Sequence, residues 1–460
     1  MKGKQNISLL VFLAGIFLSS IAIAQSTPKN MSEKDILNIY EKQLTTGFQV
    51  RAMGESEIKK YIEKGKEGVA SMEDFANSLS NLLPYRTQSS TAVLFFFFNN
   101  DTLYRFFIIP GKIKEQKVIP IKAKDLEQLN SDVYSTLHIY NLAANRAPQI
   151  RGLTPKAQKP PANMTFEKAI NNATKILLPE LFDEQYSNLI IIPAFSIGAF
   201  PFQLLKPYKD GSYLIDKCSF SIAPGIMDLV AIRKRMIKRN EAAEDSASFT
   251  FSNTLFVCNP DFPVNTDYIF PPLPGAKKEI ENSLAYSEKY ILLEGKNATR
   301  QNVMDNIRNC DVAYFATHGI SDDKDPLDNN FLVLAGDKDP FLTSRNILSM
   351  RDSTFTEESK FPELVILSAC QTGLGKSMEA GIFGGLARSF LIAGANQVIM
   401  SLWNVDDEAT AYLMNRFVYY LQQPNLFVPS EPLRLAELDT RKKFPDPSQW
   451  ASFSVYGVNY

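Results

Sequence analysis

Histidine is nearly absent from this chain: there are two in 460 residues, His138 and His318. Cysteine is scarce too. Cys218, Cys258, Cys310 and Cys370 are the whole set, and no C-x-x-C pair occurs. Zinc sites of the common nitrogen and sulfur kinds therefore lack ligands, and neither a metal nor another cofactor is expected. The cysteine spacing follows no disulfide framework, and Cys258 and Cys310 sit in or beside apolar runs, so buried free thiols are expected. Charge of either sign is not in excess, with a net of −1 at pH 7. That gives no electrostatic ground for nucleic-acid binding. The basic cluster at Arg233-Lys234-Arg235 reads as a solvated helix end. A G-x-S-x-G elbow is missing, which argues against a typical α/β-hydrolase. Gly373-Leu374-Gly375-Lys376-Ser377 is only half a phosphate loop, because the glycine required five positions before Gly375 is Cys370.

One long apolar run is present, at the start. Lys2 and Lys4 precede an apolar stretch over residues 7–23, and Ala22-Ile23-Ala24 forms an A-x-A site before Gln25. This reads as a signal peptide cleaved after Ala24, leaving an exported protein, periplasmic or secreted. The run is also about long enough for a single membrane anchor, so that alternative stays open. No second run reaches membrane length, and no stable span is expected after cleavage.

Residues 25–84 read as a helical segment, with Ile36, Leu37, Ile39, Tyr40 and Leu44 at helical spacing and Ser32 with Asp35 at the start. Residues 85–164 differ. Two β-rich runs, 91–98 and 103–109, flank the turn residues Asn99-Asn100-Asp101 and read as a hairpin. A third strand is expected over 118–121, then a helix over 123–142 carrying His138, which reads as structural. Four prolines within residues 147–163 mark a linker or long surface loop. From Thr165 strands and helices alternate. Strands are expected at 189–192, around Phe202 and 213–215, at 255–257, 290–293 and 397–402, and within the segments 311–319 and 362–373. Helices lie between them, including one from Thr299 as N-cap and one over 381–393. This alternation predicts an α/β, three-layer sandwich: a mostly parallel sheet with helices on both faces.

Two strands end in chemistry. Asp311-Val312-Ala313-Tyr314-Phe315-Ala316 runs into Thr317-His318-Gly319, and Leu364-Val365-Ile366-Leu367 runs into Ser368-Ala369-Cys370. In open α/β sheets, ligands collect outside the carboxyl ends of the strands. His318 precedes Cys370 by 52 residues, the separation seen in caspases. An adjacent imidazole makes a thiol nucleophilic. The backbone N–H groups of Gly319 and Cys370 can serve as an oxyanion hole. After the last strand, Trp403 can wall a side-chain pocket and Asp406 or Asp407 can receive a cationic side chain, Asp406 being the better candidate. Asp407 and Glu408 read as charges at a helix N-terminus.

At these residues the chain resembles the CHAT domain family, caspase-like proteins related to separases. The resemblance rests on Leu189-Ile190-Ile191-Ile192-Pro193, Phe200-Pro201-Phe202, Ser221-Ile222-Ala223-Pro224, Leu273-Pro274-Gly275-Ala276 with Glu279-Ile280, Ala316-Thr317-His318-Gly319, Leu367-Ser368-Ala369-Cys370-Gln371-Thr372-Gly373, Ser401-Leu402-Trp403 and Trp450-Ala451-Ser452-Phe453. It covers residues 165–460, with 85–164 as the family's divergent N-terminal part. It implies a caspase-like fold and a Cys–His dyad endopeptidase. Cys370 is then the nucleophile, His318 the base, Gly319 part of the oxyanion hole, and Ser368, Trp403 and Asp406 the substrate-binding residues. The expected partner is a protein or peptide substrate, with autoprocessing or a regulatory protein partner controlling activity. The rival reading is a caspase-like scaffold with a silent or conditional dyad. Many relatives carry a helical repeat array before this domain, and residues 25–84 have no room for one.

Overall fold

The structure is a computed structural model. It describes residues 31–49, 69–139, 149–150, 163–242 except 181 and 183, 253–351 except 265, 322–324, 326 and 337, 360–369, 377–378, 381–382, and 385–458 except 404–405, 424–425 and 427. The expected leader with its cleavage point at Ala24, most of the proline-rich stretch and Cys370 lie outside the described residues.

Among the described residues the first helices are α1 (Glu33–Gln49) and α2 (Met72–Leu82). An antiparallel set follows, β1 (Thr91–Asn99), β2 (Thr102–Ile109) and β3 (Lys112–Pro120). Then come α3 (Ala123–Thr136), α4 (Phe166–Leu177), β4 (Asn188–Ile192), β5 (Ser219–Ile222) and α5 (Ile226–Ala242). Further along, the elements that build or cover the main sheet are β6 (Asn253–Pro260), α6 (Pro274–Leu284), β7 (Lys289–Gly295), α7 (Arg300–Asn306), β8 (Val312–Ala316), β9 (Leu364–Ser368), α8 (Leu386–Ala393), β10 (Gln397–Ser401), α9 (Asp407–Leu421), α10 (Ser430–Lys443) and β11 (Phe453–Gly457).

These strands make one eleven-stranded sheet in the order β3-β2-β1-β4-β5-β11-β10-β9-β8-β6-β7. Only β1–β2, β2–β3 and β10–β11 pair antiparallel, so the sheet is mostly parallel. Alternate residues of the central strands divide between two cores. Val312, Tyr314, Leu364, Ile366 and Ile399 face α6, α9 and α10. Ala313, Phe315, Val365, Leu367 and Val398 face the layer that holds α7 and α8. Strands covered on both sides need apolar residues at every position, which is why they read as unbroken apolar runs. The hairpin belongs to the same sheet, because β1 pairs in parallel with β4. Tyr40 of α1 meets Phe95 edge-on at 5.3 Å, and Phe98 meets Phe195 at 4.7 Å.

Several local expectations are corrected. The short strands expected around Phe202 and at 213–215 are helical turns, Phe202–Leu204 and Leu214–Lys217. Pro201 and Pro207 flank the first and withhold ladder donors. The second is closed by Asp216, which accepts the Tyr213 N–H at 2.9 Å. The helix α3 stops at Thr136 rather than near 142, and His138 lies past its end with φ +56°. The helix expected from 381 begins at Leu386. Strand β11, inserted between β5 and β10, was not expected. Among the described residues no helix is long and apolar enough to cross a membrane.

Candidate active site

Register places the site. Ala316, the last residue of β8, lies opposite Ser368, the last of β9. The segments leading to His318 and to Cys370 thus leave the sheet side by side at its carboxyl rim. Cys370 itself is outside the described residues, as are 404–405 in the turn before Asp406.

His318 is fully buried. Its ring lies between Phe262 at 4.8 Å and Phe270 at 5.8 Å. The Nε2 atom is 2.7 Å from the Pro271 carbonyl oxygen. A carbonyl can only accept, so Nε2 carries the proton and donates. The neutral tautomer then keeps its lone pair on Nδ1, which is buried and has no hydrogen-bond partner among the described residues. Burial lowers the imidazole pKa, more than the Pro271 bond raises it. The ring is therefore held neutral with one basic nitrogen that no described residue occupies, the state required of a general base. The backbone is fixed as well: the His318 carbonyl accepts the Val333 N–H at 2.9 Å. Gly319 begins a small ribbon, Gly319–Ile320, and lies opposite Leu332.

Beside this rim is an open cleft of about 460 Å³ including its mouth. Thr317, Ser368 and Ala369 form its inner edge, one and two residues from the two candidate catalytic positions. Trp403 walls it, with its indole N–H donated to Ser448 O at 2.8 Å. Ser401 also lines it and donates to Ala369 O at 2.8 Å. The acids sort differently from the sequence reading. Asp406 is the N-cap of α9, accepting the N–H groups of Glu408 at 3.0 Å and Ala409 at 3.3 Å, and is not among the residues that line the cleft. Asp407 lines it instead. So does Glu279 of α6, which the sequence reading quoted within a motif but gave no role.

Glu279 is 3% exposed. Tyr314 donates to its Oε1 at 2.6 Å, and the Ser368 hydroxyl also hydrogen-bonds it. Burial pushes its carboxyl up to about 7, with the nearby Asp407 charge adding to the rise. Gly275 lets α6 approach the start of α9: a Cβ there would lie 2.9 Å from Asp407 Cβ. Pro271, Phe262 and Phe270 were also missed. The crowding of Phe262, Tyr268, Phe270, Pro271 and Pro272 in one loop was the available signal.

The three described cysteines are free and buried. Burial raises the thiols of Cys258 and Cys310 to about 12 and that of Cys218 further, which makes them poor nucleophiles. Among the described residues no group of three or more His, Cys, Asp or Glu side chains is placed to hold a metal.

A model of the CHAT domain family matches residues 167–458. Tetratricopeptide repeat protein 28 of Homo sapiens is 27% identical over 313 residues, covering 59% of this chain and 12% of that protein. Its Mus musculus counterpart is 24% identical over 314 residues, with the same shares. The chain thus spans about an eighth of the length of these curated relatives. Among solved structures, the Saccharomyces cerevisiae separase–securin complex aligns over 84% of this chain and 31% of that chain, with TM-score 0.50 and 12% identity. The likeness is one of fold, and it agrees with a caspase-like arrangement of the sheet.

Proposed function

The chain belongs to the CHAT domain family, and on that footing we propose that it is a cysteine endopeptidase using Cys370 and His318 as a dyad. The observation that carries the proposal is the state of His318: Nε2 is tied to the Pro271 carbonyl and Nδ1 is left basic, on a ring two residues past the end of β8, whose neighbour β9 leads to Cys370. Nδ1 takes the thiol proton, and the sulfur attacks the peptide carbonyl to give a tetrahedral oxyanion. The N–H groups of Gly319 and Cys370 are the proposed donors to that oxyanion. The imidazolium gives its proton to the leaving amine, and water then hydrolyses the thioester. The cleft beside the dyad receives the side chain before the scissile bond, and two acids on its wall favour a basic one. The test is digestion of a peptide library by wild type, Cys370→Ala and His318→Ala. Loss of cleavage in both variants is expected; equal digestion by all three proteins rejects the proposal.

One observation favours conditional activity. The His318 ring is enclosed by the Phe262–Pro271 loop, so activation by a partner or by autoprocessing fits a base that is covered at rest. A thiol-reactive peptide electrophile separates the readings. Labelling of Cys370 in the isolated protein supports a standing dyad, and labelling only after a partner is added supports a conditional one. We also propose export with cleavage after Ala24. N-terminal sequencing of the exported protein checks it, and a start other than Gln25 counts against that boundary.

A further inference from the structure

The cleft contains a carboxyl group that the hydrolytic chemistry does not use. Glu279 sits on the cleft wall with almost no exposure, yet it is not sealed in apolar side chains. Tyr314 of β8 and Ser368 of β9 hold it from the sheet side. The other groups facing it are Asp407 of α9 and Cys258 of β6, both acidic or neutral. Lys277 on its own helix is engaged with Glu294 at 3.0 Å. No Lys, Arg or His is among the residues lining the cleft. A buried carboxylate without a counter-charge is costly unless a cation is supplied or a proton is taken up. The two hydroxyl donors fix the position of the carboxyl group in either state.

We infer that Glu279 selects the substrate side chain by its own protonation: ionised, it takes a cationic arginine or lysine; neutral, it donates its proton in a hydrogen bond to an uncharged amide such as glutamine. This rests on the peptidase reading for its catalytic readout, but the binding event does not require turnover. The neutral acid is a donor as well as an acceptor, so an amide side chain can use both its oxygen and its nitrogen. A guanidinium instead needs acceptors only, and Asp407 on the same wall supplies a second carboxyl group. With the Glu279 carboxyl titrating near 7, the ionised fraction rises from about a tenth at pH 6 to about nine tenths at pH 8.

The experiment compares kcat/KM for matched peptides carrying Arg or Gln before the scissile bond, between pH 6 and pH 8. The dyad's own titration cancels in the ratio. In wild type the Arg-to-Gln ratio is expected to rise about a hundredfold over that range, the Arg term rising and the Gln term falling about tenfold each. In Glu279→Gln, a swap of similar shape, it is expected to stay at or below the wild-type pH 6 value and to be flat. Ser368→Ala, which removes a hydrogen bond favouring the ionised form, is expected to move the rise to higher pH. A parallel arm uses Cys370→Ala protein and calorimetry with N-acetyl-arginine amide and N-acetyl-glutamine amide. The arginine probe is expected to bind about tenfold tighter at pH 8 than at pH 6 and to release a proton on binding near pH 7. If wild type cleaves with a pH-independent ratio, or Glu279→Gln keeps the wild-type rise, the inference is overturned and the peptidase reading stands. If the binding arm behaves as stated but no peptide is cut, the peptidase reading fails and the role of Glu279 survives. Absence of binding by both probes overturns it.

Discussion

A carboxyl group walled in by protein is easier to keep neutral than charged, and Glu279 makes that visible in stability. The folded state holds its proton up to about pH 7, whereas the unfolded chain loses it near the ordinary value of 4.5. Between those values the native state binds more protons, so stability falls as pH rises, by about 3 kcal/mol in total. Glu279→Gln removes that fall. Its melting temperature is expected to exceed wild type at pH 8 and to approach it at pH 4.5; a gap that stays constant with pH contradicts this. His318 shifts the other way, since burial lowers its pKa. It therefore costs stability as pH drops below about 6.5, where the unfolded chain takes up the proton first. With only two histidines, His138→Asn in a Cys370→Ala background leaves one ring for NMR. Its titration is expected below the free-imidazole value, and a midpoint above 6.5 speaks against a buried neutral ring. At this scale the sequence was readable for the ring itself, because composition left so few imidazoles. It did not identify Pro271, because which carbonyl faces Nε2 is set by contacts between distant segments, and it preferred Asp406 to Asp407 because which acid turns toward the cleft depends on how α9 packs against α6.

Helix α6 shows how an element is placed by what it lacks. Pro274 starts it and Gly275 permits near-contact with Asp407 at the head of α9. Gly275→Ala is expected to push the two helices apart, to cost about 1–3 kcal/mol by overpacking, and to lower kcat/KM through the cleft wall; unchanged chemical denaturation counts against it. On the opposite face, α8 follows the segment that carries Cys370. Its Arg388 pairs with Asp228 of α5 at 2.9 Å, with both side chains at most 3% exposed. Tyr40 of α1 completes this cluster: its hydroxyl accepts the Ile226 N–H at 3.2 Å and lies over Gly225. Breaking such a pair on one side strands the other charge, so Arg388→Met is expected to cost about 3–5 kcal/mol. The double replacement Arg388→Met with Asp228→Leu is expected to recover much of it in denaturant melts. Periodicity found the body of most elements, since apolar spacing is local. It misjudged the ends of α3 and α8 and turned two helical turns into strands, because caps and prolines decide such short pieces more than apolar character does.

For the whole molecule, the parallel core was legible because strands buried on both faces cannot hide their composition. The order of strands was less so: β11 arrives last in sequence yet lies inside the sheet, and nothing local marks that insertion. The same order gives the hairpin its weight. Thr91 to Phe95 of β1 pair residue by residue with Asn188 to Ile192 of β4, so the three antiparallel strands are a flank of the main sheet. A protein trimmed to residues 165–460 would leave β4 with bare amides and carbonyls along one border, next to Ile190, Ile191 and Ile192 stripped of their cover. Such a border adheres to its own kind. The trimmed protein is expected to elute as large aggregates in size-exclusion chromatography while residues 31–460 run as a discrete species. The hairpin that opens the sheet would thereby be the seal that keeps the remainder of it from self-association.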